Sequence, residues 1–173
     1  MMNRKMGIIV GMLVVAVVLL SIRYNGTEAS DAPEADPSKG IVFALIREGL
    51  PVQHIITFDA KTDRDGLMGK PGRYISKTAF VDARHTESWN DAIEHDPDFS
   101  PETFWYDCYV ETYASEADAQ KQYEYFADEF SRDACMYKQH VFIAGNAILF
   151  LDYELSDNGA KGYEKAFNSI CVR

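Results

Sequence analysis

Histidine, cysteine and positive charge are all in short supply. The four histidines, His54, His85, His95 and His140, are scattered, and none has the i, i+4 or close Cys spacing that brings two donors onto one metal. Zinc is therefore not expected, and no cofactor is. Lysine and arginine number 17 against 27 aspartates and glutamates, for a net charge of −10, and residues 41–173 alone carry the full −10. Such a field repels a polyanion before contact, which excludes nucleic acid as a partner. No Cys or Ser lies in a recognisable catalytic signature, so a nucleophilic enzyme has no candidate residue. Long apolar runs are absent too, with one exception at the N-terminus.

That exception runs from Met6 to Ile22, without a charge, between Arg4 and Lys5 on one side and Arg23 on the other. As a helix it would reach about 25 Å, the lower edge of a membrane span. Residues 1–23 thus read as a signal-anchor, a transmembrane helix with its basic end held in the cytoplasm. A cleaved signal peptide is the alternative, but small-x-small sites occur only among acidic residues beyond the run. Either way the C-terminal domain is expected to be extracytoplasmic, on a single-pass membrane protein or, after cleavage, a secreted one. Residues 24–40 hold no large aliphatic side chain and read as a flexible acidic linker.

Residues 41–173 are a different material. With 47% hydrophobic and 13% aromatic residues the chain is far from the composition of disorder, and its length allows one domain. Asp36-Pro37 reads as an N-cap and first turn, followed by Ile41, Val42, Leu45 and Ile46 at helical spacing. Strands are expected over 52–59, 78–82 and 104–113. Ser115 and Asp118 form a capping box for a helix carrying Ala119, Tyr123, Phe126, Ala127, Phe130 and Ala134 on one face. Two strands, 140–144 and 147–153, meet at Gly145-Asn146, and Ser156 caps a last helix with Tyr163, Ala166, Phe167 and Ile170 inward. The order α-β-β-β-α-β-β-α predicts an α+β domain: a mostly antiparallel five-stranded sheet with helices packed on one face.

The stretches LMGKPGRYISKTAFVDAR (67–84), VETYASEADAQKQYEYF (110–126) and the segment 140–170 resemble a family of uncharacterised secreted proteins and predicted lipoproteins of Gram-positive bacteria. That family carries a Leu-Gly-Arg-Pro-x-x-Tyr-x-Ser-Lys run followed by Phe-x-Asp-x-Arg. The matching positions are Met68, Gly69, Lys70, Pro71, Tyr74, Ser76, Lys77, Phe80, Asp82 and Arg84. The resemblance implies export to the cell envelope and a fold, and no activity. One departure matters: lipoproteins of the family place a Cys just after the apolar segment, whereas this chain has none before Cys108. The hydrophobic segment itself must then be the anchor.

Several residue groups are candidates for a site. Lys61, Arg64, Lys70, Arg73, Lys77 and Arg84 cluster with Gly66, Gly69 and Gly72 in an otherwise acidic domain, a pattern that suits an anionic ligand. The expected ligand-binding residues are Lys70, Arg73, Tyr74, Lys77, Asp82 and Arg84. The competing reading is structural, the loop being pinned by its own Asp63 and Asp65 while Asp82 pairs with Arg84 or Lys77. DRDG at 63–66 and DPDFSPE at 96–102 lack the turn Gly and terminal Glu of a calcium loop at the right spacing, and read as solvated acidic faces. Trp105, Tyr106, Tyr109, Tyr113, Tyr123 and Tyr125 are core on one face or a stacking surface on the other. A right-handed crossover from the third to the fourth strand would return Cys135 toward Cys108, so the expected disulfide is Cys108–Cys135.

Function is expected to be that of a binding or interaction module at the cell envelope, with an envelope protein or a small anionic ligand as partner. The alternatives are an envelope-acting hydrolase, pairing Asp82 with a carboxylate from 91–102, and a structural envelope protein without a ligand.

Overall fold

Asp36 opens the first helix as its sequence position suggests. Its carboxylate accepts from the Lys39 N–H at 2.9 Å, and Pro37 stands at the first helical position, where its missing N–H costs nothing. The computed structural model describes residues 36–132 and 139–172. The helix α1 is Pro37–Arg47, followed by strand β1, Val52–Phe58, and β2, Tyr74–Asp82. Then come α2, Glu87–His95; β3, Cys108–Tyr113; α3, Glu116–Arg132; β4, His140–Ala144; β5, Ala147–Leu151; and α4, Asp157–Cys171. The α1 helix thus takes in residues up to Gly40 that composition assigned to the linker.

The five strands form one antiparallel sheet in the order β1-β2-β3-β5-β4, the α+β class expected. The β4–β5 hairpin pairs Ala144 with Ala147 around Gly145-Asn146. Gly145 sits at φ +56°, which a side chain on Cβ resists, and the Asn146 amide donates to the Tyr113 carbonyl at 2.7 Å. This fastens the turn to the neighbouring β3.

Helices cover both faces of the sheet, not one. Along a strand, side chains alternate between faces. Leu149 and Leu151 of β5 pack with Val42, Leu45, Tyr163 and Phe167, and so belong to the face covered by α1 and α4. Ile148 and Phe150 pack with Ala119, Tyr123 and Phe126 of α3. The α2 helix shares this second face, burying Trp89 against Phe58, Ala79 and Val81. The cause lies in β5 itself: all five residues of AILFL are buried, and a strand apolar on both sides needs cover on both.

The α2 helix is an element the sequence did not announce. Within ESWNDAIEH only Trp89 is buried, and its ring is packed by Phe99, Phe104 and Tyr106 at centroid distances of 5.1, 4.9 and 5.7 Å. A single anchor holds it in place of a stripe. His54, at φ +50° in the bulge of β1, stacks on the same indole at 4.4 Å.

The N-terminal anchor expected over residues 1–23 lies outside the described residues, as does Cys135 and with it the Cys108–Cys135 bridge. Among the described residues no helix is long and apolar enough to cross a membrane.

Candidate functional site

Strand parity decides where the candidate residues go. Thr78 and Phe80 pair with Val110 and Cys108 of the first face, and Asp82 follows them at the same parity, while Lys77 and Ala79 pair with Glu111 and Tyr109 of the second. The predicted ligand set is therefore divided by the sheet. Asp82 and Arg84 stand on one side, and Arg73, Tyr74 and Lys77 on the other.

On the first face Asp82 is engaged from within the fold. Its Oδ1 accepts from the backbone N–H and Nε of Arg84 at 2.9 and 2.8 Å, and its Oδ2 from Nη2 of Arg84 and the Tyr163 hydroxyl at 2.7 and 2.8 Å. Burial pushes its pKa up, but the bonds from Arg84 and Tyr163 outweigh this and hold the carboxyl below its ordinary range. No residue of 91–102 is among these partners. Asp107 lies close by, beside a pocket of about 20 Å³ shared with Asp152. Burial, with the charges of Asp152 and Glu154, raises it to about 6.

The second face carries the more elaborate arrangement. The connection from β1 to β2 is folded back by Asp63, whose Oδ2 accepts from the N–H groups of Leu67 and Met68 at 2.8 and 3.0 Å. Its Oδ1 accepts from the Tyr74 hydroxyl at 2.8 Å. Burial raises Asp63, yet these donors together bring it below the usual carboxylate range. Glycines allow the tight path. Gly72 sits at φ +70°, a left-handed conformation that side chains with a Cβ resist.

Lys77 sits at the centre of this face. Its Nζ lies 2.7 Å from Oδ2 of Asp65 and 3.5 Å from Oε1 of Glu111. The same ammonium is 4.5 Å from the Tyr109 ring centroid and 5.2 Å from that of Tyr74, within cation–π range. Glu111 is only 4% exposed. Burial pushes its pKa up, against the pull of Lys77 and of the Tyr113 hydroxyl, which donates to Oε2 at 2.7 Å. Below Lys77 the Tyr109 ring stacks on Phe150 at 4.4 Å and 20°.

Two clefts flank this centre, and Asp65 and Tyr109 border both. The first, about 160 Å³, is lined by Arg64, Trp105, Tyr106 and Lys77. The second, about 430 Å³, is lined by Arg73, Glu111, Gln122 and Tyr125. Each mouth holds an exposed aromatic with an arginine close at hand. The Arg64 guanidinium lies 5.4 Å from the Trp105 ring, and Trp105 is 68% exposed. Arg73 donates to Oε1 of Gln122 at 2.6 Å beside Tyr125, 53% exposed. Tyr106 lines the first cleft, and its hydroxyl is buried with no hydrogen-bond partner among the described residues, a cost that native proteins rarely leave standing.

Of the expected ligand residues, Arg73, Tyr74 and Lys77 meet here, Lys70 stands exposed in the loop, and Asp82 with Arg84 is spent on the opposite face. Much of the structural reading of the loop is realised, since Asp63 pins it and Asp65 and Asp82 hold their cations. The aromatic segment divides in a similar way. Tyr106 and Tyr113 are buried, and Trp105 lies outside β3 and faces solvent. Glu111 and Gln122 went unnoticed, although a glutamate between Tyr109 and Tyr113 at strand spacing is a sign of an inward charge.

No protein-family model, curated protein or solved structure matches the chain.

Proposed function

We propose that the chain is a membrane-anchored, extracytoplasmic binding module of the cell envelope, and that its ligand is held in the groove formed by the two clefts around Lys77. Anchoring and export rest on the charge-free run from Met6 to Ile22 and the basic residues before it. Binding rests on one observation above others. The two clefts meet at Asp65 and Tyr109, giving a concave surface with polar groups converging on an aromatic floor. Concave, aromatic and sparsely polar is the usual make-up of a ligand site. In a domain whose net charge is −10, the groove is where Arg64, Arg73 and Lys77 offset the acids, so an oxygen-rich ligand meets least repulsion there.

Two measurements test this. Protease added to intact cells should remove a C-terminal epitope tag from the full-length chain. A tag that resists until the cells are lysed would overturn the topology. An immobilised cell-envelope fraction should retain the wild-type chain, and retention should fall at least tenfold in the double variant Arg73→Ala/Trp105→Ala but not in Lys70→Ala. Equal retention of the double variant overturns the groove as the binding site.

A further inference from the structure

The groove has the features of a carbohydrate site, and we infer that its ligand is a short oligosaccharide with a sugar ring stacked at each mouth. This rests on the binding-module reading above and adds the ligand's chemistry to it.

A sugar ring offers a hydroxyl-studded edge and an apolar C–H face. A protein that recognises it needs an aromatic plane for the face and paired donors and acceptors for the edge. Each mouth of the groove holds both. At one end Trp105 exposes 68% of its surface, an indole left in water where an interior would normally claim it. Arg64 lies beside it, and its Nη1 is fixed on the Thr103 carbonyl at 2.6 Å, leaving the other guanidinium donors without a partner among the described residues. At the other end Tyr125 is 53% exposed, next to Arg73 and Gln122. Between them lie carboxylates that accept from hydroxyls, Asp65 with 43% of its side chain exposed.

The charge pattern separates a sugar from its rivals. A simple anion would be met by carboxylates, since Asp63, Asp65 and Glu111 line the clefts together with Arg64, Arg73 and Lys77. An apolar peptide anchor would leave those six charges facing hydrocarbon, at a desolvation cost. A polyol supplies donors for the carboxylates and acceptors for the cations, and asks for no net charge of either sign.

The two tryptophans make the test direct, because Trp89 is 5% exposed and Trp105 is 68% exposed. Full-length chain in detergent micelles is titrated with chitotetraose, with a hyaluronan tetrasaccharide and with a Glu-rich hexapeptide, following tryptophan emission. Saturable change with either oligosaccharide, weakened at least tenfold by Tyr125→Ala and abolished in Trp105→Phe, supports the inference. The same Tyr125→Ala chain must keep the wild-type unfolding midpoint, which as an exposed substitution it should. Saturation by the peptide alone, with the same loss on Tyr125→Ala, overturns the carbohydrate assignment and leaves the groove as a binding site. No saturation by any of the three, or binding indifferent to Tyr125→Ala, overturns both.

Discussion

The Tyr163 hydroxyl donates to Oδ2 of Asp82 at 2.8 Å, joining α4 to the end of β2 across 81 residues of sequence. Both groups are buried, Tyr163 fully and Asp82 to 2% exposure. A hydrogen bond to a charged acceptor is worth about 1.5–3 kcal/mol, so Tyr163→Phe should lower stability at pH 7 by about 2 kcal/mol in urea unfolding. The pH dependence has a definite sign. The folded carboxyl lies below its unfolded value of about 4, so its stabilisation is complete above that pH and fades as pH falls through the folded value. The difference between Tyr163→Phe and wild type should accordingly narrow in acid.

Lys77 and Glu111 form a pair of the opposite kind. Removing one member of a buried pair leaves a charge without a partner, at about 3–5 kcal/mol. Asp65, partly in water, softens this, and Lys77→Met should cost about 3 kcal/mol. Adding Glu111→Gln should restore at least half of the loss, and a double-mutant cycle at pH 7 measures the coupling. Because burial raises Glu111 above its unfolded value, its contribution declines as pH climbs past about 4. That slope should be missing in Glu111→Gln.

Asp107 gives a third pH signature. Burial and two neighbouring acids raise it to about 6. The folded state therefore holds a proton that the unfolded state releases, and stability falls as pH rises from about 4 through 6. Asp107→Asn should match wild type at pH 4 and exceed it at pH 8 by about 1 kcal/mol, once solvent screening is allowed for. Thermal unfolding at the two pH values reads this directly.

At the start of the domain Asp36 does more than cap α1. Its Oδ1 also accepts from the Ser38 and Ser76 hydroxyls at 2.7 and 2.5 Å, and Ser38 continues to Thr78 at 2.7 Å. Loss of an N-cap alone costs about 1 kcal/mol. Asp36→Ala should cost about 2–3 kcal/mol, because buried hydroxyls of β2 lose their acceptor. Asp36→Asn, which keeps an acceptor oxygen, should lose less than half of that in the same denaturation experiment.

The parts of this fold legible in the sequence are those decided locally. Asp36, Ser115 and Ser156 each accept from a backbone N–H in the first turn that follows, and Gly145-Asn146 turns the hairpin. Such signals need only a few neighbouring residues. The misses come from tertiary context. The α2 helix has one buried residue and no stripe, so periodicity had nothing to detect. The β2 strand begins at Tyr74, not Thr78, because pairing with Tyr113 across a bulge extends it. The predicted ligand set mixed residues five apart, Lys77 and Asp82, although an odd interval along a strand points them to opposite faces. Parity could have divided that set beforehand. The neighbourhood of Trp105 and Arg64, 41 positions apart, could not be read from either.

Tyr109 has Lys77 on one side of its ring and Phe150 on the other, and Phe150 meets Phe126 of α3 edge-on at 4.9 Å. Floor and foundation are thus a single pile of plates, so an engineer wanting a different specificity would find position 109 closed to isolated change. The mouths are another matter. Trp105 and Tyr125 stand mostly in solvent, and new preferences can be grafted at those two ends while the middle is left alone.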